Sequence, residues 1–184
     1  MAHGFWVFGY GSLIWNPGFE PQERVLARLD GYSRSFCMWS IHHRGRPEAP
    51  GLVLALDEGA EESCEGVAFS VPAARSSHVL AQLRERELIS SAYVEHEVGL
   101  SLADGRRVQA LAYVVARDHV QYARGLPLDR QAEIIARAHG DRGPNAEYLF
   151  NTVAHLAELG IRDPELETLG RDVARHLRSG TSGS

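Results

Sequence analysis

Apolar residues recur in short runs over the first two thirds of the chain, several of them at every second position, the spacing of a strand with one face buried. The runs cover residues 6–9, 25–29, 33–40, 52–56, 66–71, 94–102 and 108–115. In the sixth, Val98, Leu100 and Leu102 share one face, and Ala103-Asp104-Gly105-Arg106 then turns the chain into the seventh as a hairpin. Many short strands separated by turns predict a closed or strongly curved sheet. Helical spacing enters after Pro72-Ala73-Ala74-Arg75, running to about Leu88, and returns from Asp129 with breaks near 140–144 and 160–164. The polar stretch 57–63 reads as a loop.

Composition narrows the class. The 184 residues are 44% hydrophobic and 23% charged, which suits one domain with a sizeable core, expected over residues 1–178. The formal charge is −5 and the basic residues are dispersed, which argues against nucleic acid as a partner. No run approaches the roughly 20 apolar residues of a membrane span. The N-terminus has no secretory pattern, so no membrane partner and a cytoplasmic location are expected. Cys37 and Cys64 stand far apart outside any Cys-x-x-Cys arrangement, as reduced thiols would. Residues 179–184, Ser-Gly-Thr-Ser-Gly-Ser, have linker composition and read as a flexible tail.

The first strand carries the clearest chemical signal. Val7-Phe8-Gly9-Tyr10-Gly11-Ser12-Leu13 runs from an apolar strand into two glycines flanking a tyrosine, followed by a hydroxyl. Glycines let a ligand approach the main chain, so successive N–H groups can converge on a carboxylate or phosphate. A dinucleotide fingerprint would need a third glycine where Ile14 stands, and a nucleophile elbow would need glycines where Tyr10 and Ile14 stand. Ser12 therefore reads as a hydrogen-bonding residue, not a nucleophile. An ordinary barrel corner has the same local pattern.

A second signal lies on the first helix. Val79, Leu83 and Glu87 are spaced four apart, which puts a carboxylate at the end of the apolar stripe. Burial and the negative end of the helix dipole both disfavour its ionised form, so a raised pKa suited to proton transfer is expected. The same position also suits an acid paired with a neighbouring arginine. Glu85, about 200° around the helix, should face water beside Arg84 and Arg86.

Other clusters are less directed. Adjacent His42 and His43 in an extended segment point opposite ways, which disfavours joint metal chelation. Arg44 and Arg46 read as solvated charge or as partners of a substrate carboxylate. Pro144 stands where a helix could start, and Tyr148 reads as a core phenol or one seeking a hydrogen-bond partner.

Four stretches taken together, Phe8-Gly9-Tyr10-Gly11-Ser12-Leu13-Ile14-Trp15-Asn16-Pro17, Arg44-Gly45 with Pro50-Gly51, Arg86-Glu87, and Asn145-x-Glu147-Tyr148-Leu149, resemble in order and spacing the ChaC family of glutathione-specific gamma-glutamylcyclotransferases. The resemblance runs from about residue 5 to about residue 160. It implies an α+β gamma-glutamylcyclotransferase-like fold, a small mixed β-barrel with flanking helices, and cleavage of glutathione to 5-oxoproline and cysteinylglycine without a cofactor. It assigns the gamma-glutamyl moiety to the loop of Val7, Phe8, Gly9, Tyr10, Gly11, Ser12 and Leu13, catalysis to Glu87, and a place near the substrate to Tyr148. Arg46 stands where the family often has a small or apolar residue. The implied partner is the small-molecule substrate, and the oligomeric state is not implied. Two other readings accompany this one: a non-catalytic ligand-binding regulator of a cation transporter, and a cyclotransferase for other gamma-glutamyl amino acids or amines.

Overall fold

A computed structural model of the chain describes residues 3–181. Five strands close into a barrel: β1 (Phe5–Gly9), β2 (Glu23–Ser40), β3 (Gly51–Val71), β4 (Tyr93–Leu102) and β5 (Arg107–Val115). Their order is β1-β3-β2-β4-β5, with β5 also pairing in parallel with β1 and β3. Closure is what the succession of short apolar runs predicts, because it leaves no unpaired edge.

The strands are fewer and longer than the runs. Runs 25–29 and 33–40 are parts of one 18-residue strand, β2, and runs 52–56 and 66–71 belong to the 21-residue β3. The predicted loop over 57–63 is therefore corrected: these residues stay extended within β3, mostly with exposed side chains. The physical reason is that a ladder is made by backbone groups, so polar side chains facing water do not end it. In β2, Gly31 adopts φ +86°, a conformation that bends a strand without terminating it.

The hairpin lies where predicted. β4 and β5 pair antiparallel from Tyr93 opposite Val115 to Ser101 opposite Arg107, and Gly105 takes φ +91° in the turn. Val98, Leu100 and Leu102 are 6%, 1% and 5% exposed, so the predicted face is the buried one. After β3 a 3-10 turn, Ala73–Arg75, leads into α1 (Ser76–Leu88).

Two compact units divide the chain. The first holds residues up to Arg34 with Ala55–Val120; the second holds Ser35–Leu54 with the chain from Gln121 onward. The core of the first includes Val7, Phe8, Leu29, Leu56, Phe69, Leu83 and Tyr113.

In the second unit α2 (Leu128–Arg137), α3 (Asn145–Glu158) and α4 (Pro164–Thr181) pack on one another, with Ile135, Leu149, Leu156, Leu169 and Val173 buried. The strands β6 (His139–Gly140) and β7 (Gly143–Pro144) occupy the first predicted break. Gly160 at φ +71° ends α3, and the Asp163 carboxylate accepts the Leu166 N–H ahead of Pro164, the standard stop and start chemistry. The α4 helix continues to Thr181, so the first three residues of the predicted flexible tail are helical; 182–184 lie outside the described residues. Among the described residues no helix is long and apolar enough to cross a membrane.

Close approach explains one glycine of β3. A Cβ on Gly66 would stand 2.3 Å from the Gly9 carbonyl oxygen and 2.8 Å from the Phe8 ring. A Cβ on Gly170 in α4 would meet only Val153 at 3.9 Å. Gly66→Ala is therefore expected to lose roughly 1–3 kcal/mol by overpacking, and Gly170→Ala to gain roughly 0.5–1 kcal/mol by helix propensity. Urea unfolding curves of the two variants check both signs.

Candidate active site

β1 carries the glycine loop to its place. From Phe5 opposite Val71 to Gly9 opposite Val67 it is locked antiparallel to β3, and on its other side Trp6 and Val7 pair with Ala110 and Leu111 of β5. Val7 and Phe8 are 0% exposed, so their side chains anchor the loop from the core. Beyond Gly9 the chain enters a 3-10 turn, Ser12–Ile14, closed by the Ile14 N–H to the Gly11 carbonyl at 2.9 Å. The N–H groups of Ser12 and Leu13 have no acceptor within a turn of that kind. Gly9, Tyr10, Gly11 and Leu13 are buried, and Ser12 alone between Val7 and Leu13 is partly open to solvent.

The Tyr10 side chain is buried, 7% exposed. Its hydroxyl donates to the Tyr113 carbonyl of β5 at 3.0 Å. Its backbone carbonyl accepts from Arg34 Nε at 2.8 Å, and Arg34 Nη2 donates to the Glu65 carbonyl. Arg34 is only 7% exposed. Sequence reasoning passed over it, although the alternation Arg34, Phe36, Met38 in β2 puts a guanidinium on the buried side of the strand.

Glu87 sits one residue from the end of α1, below the buried Val79 and Leu83, with its side chain 15% exposed. Burial raises its carboxyl above the usual range, and the adjacent Arg86 charge offsets part of that rise. The two expectations for this residue, a raised pKa and an arginine partner, thus hold at once: Arg86 Nε lies 3.2 Å from Glu87 Oε1. Glu85 is exposed, as its position on the helix predicts.

Arg86 does not simply face water. Its Nη2 donates to the Ser12 hydroxyl at 3.1 Å and its Nη1 to the Asn16 carbonyl at 2.6 Å. The available signal was its spacing, three residues after Leu83 and seven after Val79, on the flank of the apolar stripe.

Tyr113 of β5 completes the surroundings. It is 1% exposed, and its hydroxyl donates to Glu95 Oε2 of β4 at 3.2 Å. Arg84 holds the same Glu95 carboxylate by two bonds, 2.7 and 3.0 Å, and lowers its pKa. Burial first, then the negative charges of Glu95 and Glu87, raise the Tyr113 phenol, so it stays a neutral donor.

Tyr148 and Arg44 belong to the second unit. Tyr148 on α3 meets Phe36 edge-on, with ring centroids 5.8 Å apart, and the Arg44 guanidinium lies 5.7 Å from its ring centre. Arg44 also donates to the Pro144 carbonyl at 3.1 Å and lies 3.8 Å from Glu147. Its side chain is 14% exposed, which corrects the reading of a solvated charge; the aromatic face and the carbonyl repay its desolvation. Arg46 is exposed, in a two-bond turn with Ala49. Asn145 is fully buried and bonds both backbone groups of Leu52 at 2.8 Å, acting as a strand partner would. His42 and His43 are both exposed. Among the described residues no three His, Cys, Asp or Glu side chains gather where they could hold a metal ion.

The first unit therefore brings together a 3-10 turn at the end of β1, the Ser12 hydroxyl, the Arg86 guanidinium and a carboxylate of raised pKa. The model of the family described as ChaC-like protein matches residues 5–176. The chain is 38% identical over 164 residues to a glutathione-specific gamma-glutamylcyclotransferase of Escherichia coli, covering 89% of this chain and 70% of that one. It is 34% identical over 180 residues to gamma-glutamylcyclotransferase 2-3 of Arabidopsis thaliana, covering 95% and 90% respectively. A crystal structure of a yeast gamma-glutamylcyclotransferase specific to glutathione superposes with a TM-score of 0.84 at 26% identity, covering 94% of this chain and 96% of that one.

Because Glu87 is raised, the folded state binds its proton more tightly than the unfolded chain does. The contribution to stability is then largest below the usual carboxylate value of 4.5 and is lost as the pH rises through the raised folded value. Glu87→Gln is expected to melt at a higher temperature than the parent at pH 7–8, with the advantage disappearing near pH 4. Calorimetric scans at the two pH values check this.

Proposed function

The chain belongs to the ChaC-like family, and from that footing we propose that it is a glutathione-specific gamma-glutamylcyclotransferase, converting glutathione to 5-oxoproline and cysteinylglycine. The observation that carries the reading is the pairing, within one unit, of the Gly9–Ser12 turn with the largely buried Glu87. Both lie in stretches that resemble the ChaC family's motifs, inside the matched residues 5–176, and the relatives named above are gamma-glutamylcyclotransferases. The match at 5–176 runs through both units, which supports one ChaC-like domain over the chain.

The reaction needs no nucleophile from the protein. The substrate's α-amine attacks its own γ-carbonyl carbon, and a well-oriented intramolecular attack reaches effective molarities of roughly 10⁵ M or more. Backbone N–H groups of the turn, with the Ser12 hydroxyl, hold the substrate α-carboxylate and fix the rotamer that brings nitrogen to carbon. Val7 and Phe8 keep the turn in place from the core, and Gly9, Gly11 and Leu13 form its wall.

Glu87 takes one proton from the α-ammonium, since only the free amine has a lone pair to give. The new C–N bond closes the five-membered ring and leaves a tetrahedral oxyanion. Collapse of that oxyanion breaks the bond to the cysteinyl nitrogen; Glu87 returns its proton to the departing amine, and the second proton of the ring nitrogen passes to the same amine, leaving the lactam N–H of 5-oxoproline and the cysteinylglycine ammonium. A carboxyl whose pKa is raised by burial suits both halves of this exchange near neutral pH. Tyr148 is included as a substrate-side residue on the resemblance of its Asn-x-Glu-Tyr-Leu motif alone. Two buried, reduced cysteines, Cys37 and Cys64, fit a reducing, cytoplasmic setting.

The test is direct. Purified protein incubated with glutathione is expected to yield 5-oxoproline and cysteinylglycine by mass spectrometry, with little product from gamma-glutamylalanine. Glu87→Gln should lose about 10²- to 10⁴-fold in kcat while still binding glutathione, and Glu85→Gln should match the parent. Equal losses in the two variants would overturn the assignment of Glu87. Product chiefly from gamma-glutamylalanine would overturn the substrate.

A further inference from the structure

One side chain touches both halves of the proposed site, and the reaction as written gives it nothing to do. The Arg86 guanidinium uses Nη2 on the Ser12 hydroxyl at 3.1 Å, Nη1 on the Asn16 carbonyl at 2.6 Å, and Nε beside Glu87 Oε1 at 3.2 Å. Ser12 and Asn16 lie at the start and just past the end of the 3-10 turn, whose Asn16 N–H is spent on the Ser12 carbonyl at 2.9 Å. We propose that Arg86 is a positioning residue: a single rigid fork that fixes the distance between the turn holding the substrate anion and the carboxylate that moves the proton. This rests on the proposed role of Glu87.

The chemistry favours an arginine here over any other residue. Two hydrogen-bond acceptors, the Ser12 hydroxyl and the Asn16 carbonyl, take the two ends of one planar group while the Glu87 carboxylate forms an ion pair alongside its Nε; a guanidinium presents donors at such fixed angles, whereas an ammonium would satisfy them one at a time. Glu87 is the last side chain but one of α1, where the helix ends and a free rotamer would otherwise swing. Cyclisation is sensitive to that swing, since an error of about 1 Å in a positioned group costs on the order of 10²-fold in rate. The Ser12 hydroxyl accepts from Arg86, so its own hydrogen is left to point at a substrate carboxylate.

Arg86 also keeps a positive charge beside a carboxyl that burial would otherwise neutralise. The Glu87 charge acts in turn on the Tyr113 phenol of β5, which donates to the Glu95 carboxylate of β4, itself held by Arg84 of α1. Arg86 is the cation in direct contact with Glu87.

Two variants and two readouts decide the matter. Arg86→Met keeps the aliphatic stem and removes the fork and the charge; Arg86→Lys keeps the charge alone. In the Met variant the Glu87 titration, followed by carboxyl-carbon NMR, should move up by about one pH unit. The acid limb of kcat/KM against pH should move with it, and kcat should fall by about 10²-fold on its plateau. The Lys variant should restore the titration and the acid limb while leaving most of the kcat loss. A folded Met variant with an unmoved titration and an unchanged kcat, lower only in melting temperature, would overturn the proposal. If Glu87→Gln instead retains full turnover, the role of Glu87 falls, while the NMR titration still reads the Arg86 contact without reference to activity.

Discussion

The candidate site depends on a tight turn whose own backbone bonds, Ile14 N–H to the Gly11 carbonyl and Asn16 N–H to the Ser12 carbonyl, are supplemented from outside by Arg34. Its guanidinium lies under the loop, 7% exposed, donating to the carbonyls of Tyr10 and Glu65. Desolvating a cation is costly unless acceptors surround it, and carbonyl oxygens aligned by two strands serve that purpose. The same contacts pin the Tyr10 carbonyl, and the Tyr10 hydroxyl ties the loop a second time, to the Tyr113 carbonyl of β5. A loop so held has little reorganisation left to do, the condition under which backbone N–H groups bind an anion at least cost.

On the other side of the site the balance is between burial and charge. Glu87 is pushed toward its neutral form by the core beneath it and pulled back by Arg86. In the proposed reaction neither effect alone suits a group that accepts a proton and then releases it. A fully buried acid would stay protonated, and an acid in a strong exposed pair would stay ionised. Glu95 shows the second extreme in the same unit: held by two bonds from Arg84 and one from Tyr113, it is locked ionised and serves to orient the phenol. Two carboxylates of one unit are thereby separated in role by their surroundings.

Several residues in the stretches that resemble the family's motifs serve as scaffolding, as their contacts show. Asn145 opens the Asn-x-Glu-Tyr-Leu motif, yet it is fully buried against the backbone of Leu52 and holds α3 to the start of β3. Gly45 and Gly51 cross so closely that a Cβ on Gly45 would stand 2.0 Å from the Gly51 nitrogen, which explains the two glycines of the Arg-Gly and Pro-Gly pairs by backbone approach alone. Arg44 turned out to be a shielded cation against Tyr148, not a surface charge.

Local pattern was enough for the barrel's closure, the β4–β5 hairpin, the course of α1 and the loop after β1, because alternation, turn residues and helical spacing act between neighbours in the chain. It also placed Glu87 at the end of an apolar stripe, which already implies a raised pKa. It did not reveal that β3 runs unbroken through 57–63, since that depends on a partner strand's backbone and not on the side chains of the segment. Nor did it assign Arg34, Arg86 or Tyr10 their acceptors, which lie 24, 74 and 103 residues away at Tyr10, Ser12 and Tyr113. The sequence by itself determined which groups could do chemistry. Tertiary structure alone decided which of them are held, and by what, because long side chains find their partners through the fold's geometry and not through their position in the chain.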